Sequence, residues 1–360
     1  MIRRKIMKKV IPLLLVTILL SSLLLSGCGN KPAPAVSSSA PSPSGSVPAA
    51  PATGSEPPKE WTPERAINII VPYTAGGSSD LLGRAIEKVW SKYCEQPVQI
   101  VNKPGGGGVT GSVYVANSPP DGYTLGLAYG SGCDMSMPFL QELEYDPFEA
   151  LDPLCLISIH TVMVGVPENS EFNSLADMIK WSDETGKPIT AASSTANGTV
   201  DLVLQGLAYS TGANIVIIPH DGTAGSITTL VGGQTMIGGA HPSDFLPQYK
   251  AERIKLIGVA TDERDSSMPD VPTLKEQGVD FSAWGSIKGV SVPKNMPDNI
   301  KKYYEKLFKQ ICEDEEFIKI MNDMGQPVMY EDIETFTKTF KNASEDYRNL
   351  IDNLGLTYKK

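Results

Sequence analysis

Histidine is scarce in this chain, which contains only His160, His220 and His241 among its 360 residues. So few imidazoles argue against a histidine-rich metal site, and we predict that no metal is bound. Positive charge is also limited, since 31 basic residues stand against 41 acidic ones and the formal net charge is −10. A chain with this balance is a poor candidate for holding nucleic acid through its phosphates, so no nucleic-acid partner is expected.

Motifs of common enzyme classes are missing as well. Neither GxSxG nor HExxH occurs, and the phosphate-loop pattern GxxxxGK[ST] is absent. GxGxxG occurs only at 106–111, after the second expected strand rather than the first, and we interpret the glycine run 105–108 as a structural turn. Asp80 and Asp201 are better explained as residues at helix starts than as an acid–base pair. The sequence therefore predicts neither catalytic residues nor a cofactor.

Cysteine is limited to five residues, of which Cys28 belongs to the N-terminal segment described next. The other four, Cys94, Cys133, Cys155 and Cys312, form no CxxC pair and show no metal-ligand spacing. In an exported protein they are compatible with two disulfides and equally with buried free thiols. Their spacing does not decide between the two.

The N-terminus has the pattern of a targeting signal. Five basic residues flank the start of an apolar run, Val10–Leu25, which is short for a membrane span of about 20 residues. Leu25-Ser26-Gly27-Cys28 then resembles a bacterial lipobox. We predict that residues 1–27 are a lipoprotein signal peptide and that lipid on Cys28, including palmitate, anchors the chain to the outer face of the cell membrane. An uncleaved anchor helix and a plain secretory signal are the alternatives.

Residues 28–60 are rich in proline, serine and alanine and show no hydrophobic period. Such a segment cannot bury enough apolar surface to offset its ordering entropy, so we expect it to act as a tether. Removal of residues 1–27 deletes five basic residues and no acidic one, which changes the net charge from −10 to −15. A lipid, a tether and a globular body together are typical of a surface-displayed capture protein.

From residue 66 onwards, short apolar runs alternate with amphipathic segments. Ile67–Val71 has the pattern of a strand, and Ser78–Lys92 that of a helix with apolar residues every three or four positions. Continued alternation predicts an α/β fold with mainly parallel sheets, followed by a helical C-terminal segment. Thr161–Pro167 and Ile287–Pro293 are similar strands that would lead into and out of a second unit as a two-strand hinge. We place one lobe at 61–163 and 286–360 and the other at 164–285.

Two loops between a strand and a helix offer hydrogen-bond donors to an anion. In the first, Gly76 and Gly77 let backbone N–H groups converge at the positive end of the following helix. The second, at 193–199, is rich in small hydroxylated residues. Each loop is also compatible with a tight turn and an ordinary helix cap. Two such loops facing one cleft favour a binding site more strongly than either loop alone.

Five segments together resemble the extracytoplasmic solute-binding proteins of tripartite tricarboxylate transporters, the Bug family. They are IIVPYTAGGSSDLLGRAI (69–86), VQIVNKPGGGGVTG (98–111), SPPDGYTLGLA (118–128), IPHDGTAGSITTLVGGQTMIGGAHPSDF (218–245) and IGVATDERDSSMPDVPTLKEQGVDF (257–281). The resemblance covers about residues 65–355. It implies a two-lobed, hinge-closing binding protein of periplasmic type II that is not an enzyme.

The resemblance also implies a ligand, a site and partners. A small organic acid would be held between the lobes, largely through backbone amides and ordered water, and delivered to permease subunits; we expect the receptor to be a monomer. One wall would consist of Tyr73, Thr74, Ala75, Gly76, Gly77, Ser78 and Asp80. The other would consist of Ser193, Ser194, Thr195, Asn197, Gly198 and Thr199, with His220, His241, Pro242 and Ser243 at the floor or rim.

Two segments depart from the family pattern near the expected cleft. The family commonly has V-P-Y-K-G where this chain has Ile218–Gly222, and it often has a histidine where this chain has Val200–Leu202. Both changes add acidity, which leaves a zwitterion or a smaller acid open as the ligand. Two rival functions are a sensor lobe that reports to a membrane kinase and an extracellular enzyme on the same scaffold. The enzyme would need a nucleophile–base pair in the cleft.

Overall fold

The computed structural model describes residues 60–358. The predicted signal peptide, the lipidation site at Cys28 and the tether up to residue 59 lie outside these residues. The strands are β1 (Ile67–Val71), β2 (Val98–Asn102), β3 (Thr124–Tyr129), β4 (Leu151–His160), β5 (Met163–Pro167), β6 (Ile189–Ser193), β7 (Ile215–Pro219), β8 (Ile237–Ala240), β9 (Ile254–Val259) and β10 (Ser286–Pro293).

Helices fill the intervals between the strands and the C-terminal part of the chain. They are α1 (Ser78–Trp90), α2 (Val109–Ala116), α3 (Gly132–Met135), α4 (Met137–Leu140), α5 (Pro147–Ala150), α6 (Leu175–Thr185), α7 (Thr199–Thr211), α8 (Thr223–Val231), α9 (Pro242–Lys250), α10 (Asp298–Cys312), α11 (Glu315–Asp323) and α12 (Ile333–Asn353). Short 3-10 turns lie at Gly106–Gly108 and Lys275–Gln277. Among these helices of the described residues, none is long and apolar enough to cross a membrane.

The strands form two five-stranded sheets with matching topology. The first has the order β2-β1-β3-β10-β4 and the second the order β7-β6-β8-β5-β9. In the first sheet β1 pairs in parallel with β2 and β3, and Ile69 lies opposite Ile100 and Leu125, whereas β10 runs antiparallel to both of its neighbours. In the second sheet β6 likewise pairs in parallel with β7 and β8, and β5 runs antiparallel to both of its neighbours, β8 and β9. Each sheet with its packed helices is called the first or second lobe below.

The chain crosses between the sheets at two adjacent places. Thr161–Val162 connect β4 of the first sheet to β5 of the second, and the return crossing ends at Gly285, just before β10. A Cβ atom added to Gly285 would lie 2.3 Å from the carbonyl oxygen of His160, so the two crossing segments touch. The predicted first lobe extends to residue 163, whereas Met163 already pairs with Ala240 in the second sheet.

Apolar residues at regular spacing build a core for each lobe. On α1, Leu82, Ile86 and Val89 lie on one face and are fully buried against the first sheet. The C-terminal helices α10 to α12 complete that core, as the sequence predicts for the helical C-terminal segment. The second lobe has a separate core in which Leu204 and Leu207 of α7 are fully buried.

The sequence patterns missed the short helices α3, α4 and α5 and two longer elements, β4 and α9. Pro153 lies inside β4, and α9 begins with Pro242 and contains Pro247, so proline concealed both segments. β4 accepts a proline because it is an edge strand of its sheet, so that one of its two hydrogen-bonding edges has no partner strand. α9 accepts Pro242 because the first helical position has no intrahelical partner for its N–H group.

The four cysteines of the described residues are free thiols. Cys94, Cys133, Cys155 and Cys312 are all buried, and none is paired with another. Of the two alternatives left open by their spacing, the structure therefore shows buried thiols. The core packing of each lobe holds the fold without a covalent cross-link in this part of the chain.

Candidate functional site

A cavity of about 630 Å³ lies between the two lobes. Loops from both sheets line it, and its size suits a small organic molecule. The predicted site residues that line the cavity are Tyr73, Thr74, Gly77, Ser78, Ser194, Thr195, Asn197, Gly198, Thr199, His220 and His241. Residues that line it without having been predicted include Ser79, the glycine run 105–108, Met137, Gln141, Val200, Asp221, Thr223, Ser286 and Lys288.

The loop after β1 presents the uncapped start of a helix to this cavity. Gly77 occupies the N-cap position of α1 with extended backbone angles (φ −84°, ψ 170°), and no side chain caps the helix. The preceding Gly76 has a φ of +82°, and its N–H donates to Asp80 Oδ2 at 2.9 Å. Because glycine has no side chain, the N-cap residue occupies none of the first N–H groups of α1; the Asp244 carboxylate of α9 lies near the N–H of Ser78.

The loop after β6 repeats this arrangement in the second lobe. Gly198 is the N-cap of α7 (φ −77°, ψ 176°), again without a side-chain cap. Asn197 has a φ of +59°, and its N–H donates to Asp201 Oδ2 at 3.0 Å, as Gly76 does to Asp80. Two helices of 13 residues each thus direct uncapped, partially positive N-termini at one cavity, one from each lobe.

The two walls approach each other closely at the mouth of the cavity. A Cβ atom added to Gly222 would lie 2.7 Å from Thr74 Oγ1, and one added to Gly77 would lie 3.6 Å from Thr223 Oγ1. The hydroxyl of Ser136 also reaches the carbonyl oxygen of Asn197, at 3.5 Å. Small residues on both sides therefore allow the lobes to meet around a ligand.

The glycine run 105–108 is a third wall of the cavity as well as a turn. Gly107 and Gly108 have φ values of +68° and +105°, which glycine adopts without strain. A Cβ atom on Gly108 would lie 2.9 Å from the Cβ of Cys133 and 3.2 Å from the ring of Tyr73. The Tyr73 hydroxyl lies 3.4 Å from Cys133 Sγ beneath the same loop. Our interpretation as a purely structural turn missed that this backbone faces the cavity.

Six predicted site residues do not line the cavity. Asp80 and Gly76 are turned towards each other by their hydrogen bond, and Ala75 is exposed beside them. Ser193 is fully buried at the end of β6. Pro242 and Ser243 lie in the first turn of α9, behind the cavity-lining His241. Asp80 and Asp201 therefore hold the backbone of the loops, whereas the neighbouring N-cap glycines lie at the cavity.

The two cavity histidines are held by their neighbours. His220 Nδ1 lies 3.2 Å from the carbonyl oxygen of Ser193, and its Nε2 lies 2.8 Å from Thr229 Oγ1. Because a carbonyl oxygen only accepts, Nδ1 carries the hydrogen and Nε2 accepts from the Thr229 hydroxyl in the neutral ring. Thr229 does not line the cavity, so this pair does not face a ligand as a nucleophile and base would.

His241 lies at the junction of the two lobes. Its Nδ1 donates to the carbonyl oxygen of Thr161, 2.8 Å away in the outward crossing. Burial, and next the charge of Lys288, lower the pKa of His241 to about 3, so the ring is neutral at physiological pH. A neutral ring at this point adds no charge of its own to the cavity.

Lys288 of β10 contributes a buried cation. Its side chain is only 2% exposed, and it lines the cavity together with Ser286 of the same strand. Burial lowers the pKa of Lys288 from 10.5 to about 8, against the attraction of Asp244, so the amine is still charged at neutral pH. The sequence predicts only a hinge role for this strand. Its single charged residue among small and apolar ones is the signal for a further role.

The other charge in the cavity lining is Asp221, an exposed carboxylate. Within residues 60–358, no group of three or more potential ligand side chains is placed to hold a metal ion. The site thus consists of two helix starts, a glycine-rich wall, two histidines, hydroxyl groups and one buried cation. Such a site can bind an anion through N–H and ammonium donors, and it contains no arrangement for metal chemistry in this part of the chain.

Two α/β lobes joined by adjacent crossings, with a cavity between them, define a two-lobed solute-binding protein. Residues 82–356 match the family described as the tripartite tricarboxylate transporter family receptor, TctC, and the chain belongs to this family. This is a family of extracytoplasmic solute receptors and not of enzymes, which argues against the enzyme rival.

Similar proteins support the same fold. The UPF0065 protein in the gbd 5′ region of Cupriavidus necator is 26% identical over 294 residues, which cover 82% of this chain and 89% of that protein. A protein of R. palustris solved with adipate superposes with a TM-score of 0.75 at 21% identity, over 82% of this chain and 99% of that one. MatC of Rhodopseudomonas palustris, solved with malate, superposes with a TM-score of 0.73 at 21% identity, over 80% of this chain and 99% of that one. The predicted two-lobed α/β fold is confirmed.

Proposed function

We propose that the protein is a membrane-tethered receptor that captures a small organic acid between its lobes and delivers it to the permease of a tripartite tricarboxylate-type transporter. Family membership supports the transport role over the sensor role, because the family is named for the transporter that its receptors serve. Two structural relatives were solved with the dicarboxylates adipate and malate. The ligand proposed here belongs to that chemical class.

The observation that carries the proposal is the pair of uncapped helix starts at Gly77 and Gly198. Each wall of the cavity supplies N–H groups at the positive end of a helix, and neither N-cap residue has a side-chain oxygen to occupy them. A carboxylate is the small group that matches several converging N–H donors. At this distance the local donors outweigh the net negative charge of the protein, because charges beyond about 8–10 Å are screened in physiological salt.

Closure of the lobes would follow from contacts that both walls make to one ligand. The adjacent crossings at Thr161–Val162 and Gly285 form the hinge in this proposal. A ligand favours the closed form only by the additional contacts that it makes there. The closed form would then be the one that the permease recognises.

A binding screen of the full-length protein in detergent tests the carboxylate proposal. Thermal unfolding would be followed with citrate, malate, succinate, glutarate, adipate, glutamate and benzoate, and with glucose as the neutral control. An acid at a hundredfold excess over its Kd should stabilise the fold by about 2.7 kcal/mol, which raises the unfolding midpoint. If every acid leaves the midpoint unchanged, the carboxylate proposal is wrong.

Membrane tethering has its own test at Cys28. In a bacterial host that processes lipoproteins, the native chain should appear in the membrane fraction with a lipid-modified N-terminal cysteine in its mass spectrum. The Cys28→Ser variant should lose the lipid mass and should not be processed at residue 27. A native chain that carries no lipid mass would rule out the tether while leaving the binding function untouched.

A further inference from the structure

Lys288 is a buried cation whose close polar partners are neutral. Its Nζ lies 3.0 Å from Ser79 Oγ and 2.9 Å from Ser286 Oγ, and both hydroxyls belong to buried residues. Throughout residues 60–358, no carboxylate lies within ion-pair distance of this ammonium group. An ammonium group has three N–H donors, so two hydroxyl partners leave one donor unused.

The surroundings of Lys288 offset its charge only in part. Asp244 of α9 attracts the ammonium group from beyond ion-pair distance, and burial raises the pKa of Asp244 only to about 6, so this carboxylate is ionised at neutral pH. The nearby histidines are neutral, since burial and the charge of Lys288 lower the pKa of His160 well below 6.5 and that of His241 to about 3. Tyr73 presents its ring to the ammonium at 5.8 Å, and burial keeps the Cys133 thiol protonated because it raises that pKa. The unused donor and the charge without an ion-pair partner both belong to a residue that lines the cavity.

The position of Lys288 extends the anion site of the first lobe. Ser79 is the second residue of α1, so the ammonium group lies beside the same helix start that Gly77 leaves uncapped. A carboxylate at this start would have backbone N–H donors, two hydroxyl groups and a full positive charge within its reach. The start of α7 on the opposite wall offers N–H donors without a comparable cation among the cavity-lining residues.

We infer that Lys288, with Ser79 and Ser286, forms a cationic subsite that pairs directly with one carboxylate of a dicarboxylate ligand, whose other carboxylate binds at the start of α7. This inference rests on the proposed function and narrows its ligand class. A ligand with a single carboxylate would satisfy one wall only. The cavity therefore selects ligands that carry a negative charge at the end that lies beside Lys288.

The test compares dicarboxylates with their monoamides on the native chain and on Lys288→Met. Methionine keeps the length of the side chain and removes the charge. Affinities of the full-length proteins would be measured by calorimetry for succinate, glutarate and adipate and for the monoamide of each. For the dicarboxylate that the native chain binds most tightly, Lys288→Met should weaken binding by about thirtyfold or more. The native preference for the dicarboxylate over its monoamide should largely disappear in the variant.

Lys103→Met is the matched control. Lys103 precedes the glycine-rich wall, but its ammonium group lies over the ring of Tyr114, 4.0 Å from the ring centre, and the residue does not line the cavity. Its removal deletes the same charge and should leave dicarboxylate affinity within about twofold of native, because this half-buried ammonium group lies over Tyr114 and outside the cavity lining. Circular dichroism of each variant without ligand would verify that it is folded.

The outcomes separate this inference from the proposed function. If the native chain binds a dicarboxylate and Lys288→Met binds it equally well with the same preference over the monoamide, the subsite assignment is wrong and the receptor function stands. Binding of benzoate as the only acid would also overturn the dicarboxylate subsite. Failure of all acids to bind the native chain would overturn the proposed function itself.

Discussion

Gly77 and Gly198 occupy the N-cap position of their helices, where serine, threonine, asparagine or aspartate is usual. In the described part of the chain, four other helices do have side-chain caps, from Asp146, Ser174, Asp314 and Asp332. α1 and α7, which start at the cavity, therefore forgo a contribution that these four helices receive. At these two residues an open N–H group is useful for ligand binding, and a capping side chain would occupy it.

Replacement of Gly77 by aspartate should separate binding from stability. The extended backbone at Gly77 suits aspartate, and the added Cβ would meet only ordinary contacts at 3.6 Å and beyond. The new carboxylate should cap α1, which leaves stability equal to native or higher by a few tenths of a kcal/mol. The same carboxylate should repel an acidic ligand and reduce the binding free energy by several kcal/mol, so that calorimetry detects no binding.

Ser174→Asp supplies the control for this substitution. Ser174 is the N-cap of α6, away from the cavity, and aspartate keeps the cap while adding the same charge. This variant should bind the acid like the native chain. Retained affinity in Gly77→Asp would mean that the start of α1 does not face the ligand.

The buried charge of Lys288 should affect the stability of the fold as well as ligand binding. Its pKa is 10.5 when unperturbed and about 8 in the folded chain, so the unfolded chain holds more protons between these pH values. The charge on Lys288 destabilises the fold fully below about pH 8, and this effect is relieved as the pH rises towards 10.5. The groups that face it are Asp244, His160, His241, Cys133 and Tyr73.

Urea unfolding of the native chain and Lys288→Met would measure this effect. At pH 7 without ligand, the variant should be more stable by on the order of 3 kcal/mol, since each pKa unit corresponds to about 1.4 kcal/mol. The difference should shrink steadily when the comparison is repeated from pH 8 to pH 10. A variant that is less stable than native at pH 7 would contradict the assignment of Lys288 as an unpaired buried charge.

At the scale of elements, the start of α7 depends on a hydrogen bond between two residues that are four positions apart in sequence. Asp201 Oδ2 accepts from the N–H of Asn197 at 3.0 Å and from Gln205 Nε2 at 2.8 Å, which fixes the loop in front of the helix. Both hydrogen bonds go to one oxygen, and an amide oxygen can accept them as well, so a neutral acceptor should serve at this position. Asp201 is thus expected to position the binding loop without touching the ligand.

Asp201→Ala and Asp201→Asn test that role together. Alanine leaves the Asn197 N–H without its acceptor and should reduce stability by about 1–3 kcal/mol and weaken acid binding. Asparagine keeps an acceptor oxygen and should restore both stability and affinity to near-native values. If asparagine binds as poorly as alanine, then the charge of Asp201 matters in its own right and the positioning role is wrong.

At the scale of the whole molecule, two sheets of matching strand order share one cavity because the chain crosses between them only through adjacent segments in the described residues. Gly285 is where these crossings touch, and any side chain there would collide with the backbone of His160, only 2.3 Å from the added Cβ. Since backbone atoms cannot move aside as the end of a flexible side chain can, the crossing itself would have to shift.

Gly285→Ala should therefore destabilise the protein by about 1–3 kcal/mol, measured by urea unfolding without ligand. Gly225→Ala in α8 is the comparison, because its Cβ would meet only the ring of His220, at 3.3 Å, and alanine favours a helix over glycine. That variant should be as stable as native. Equal stability of Gly285→Ala and the native chain would show that the crossings have room to separate.

Local sequence determined the elements that do not depend on distant partners. The apolar spacing of α1, the range of α2 and the strand β9 follow from nearby residues, as do the glycines that leave α1 and α7 uncapped. Family segments along the chain then implied two lobes and a cleft, and the fold confirms the lobes. Proline-containing β4 and α9 escaped because their tolerance of proline depends on an edge position and a helix start.

Only the tertiary structure decided which residues meet at the cavity. Lys288 and Ser79 are 209 residues apart in sequence, and no local pattern relates them. The glycine run at 105–108 has the sequence pattern of a turn. Its second role, as a wall of the cavity, depends on the loops that pack opposite it. Propensity, capping and hydrophobic period act over a few residues, whereas a buried charge and a shared cavity arise from contacts between distant segments of the folded chain.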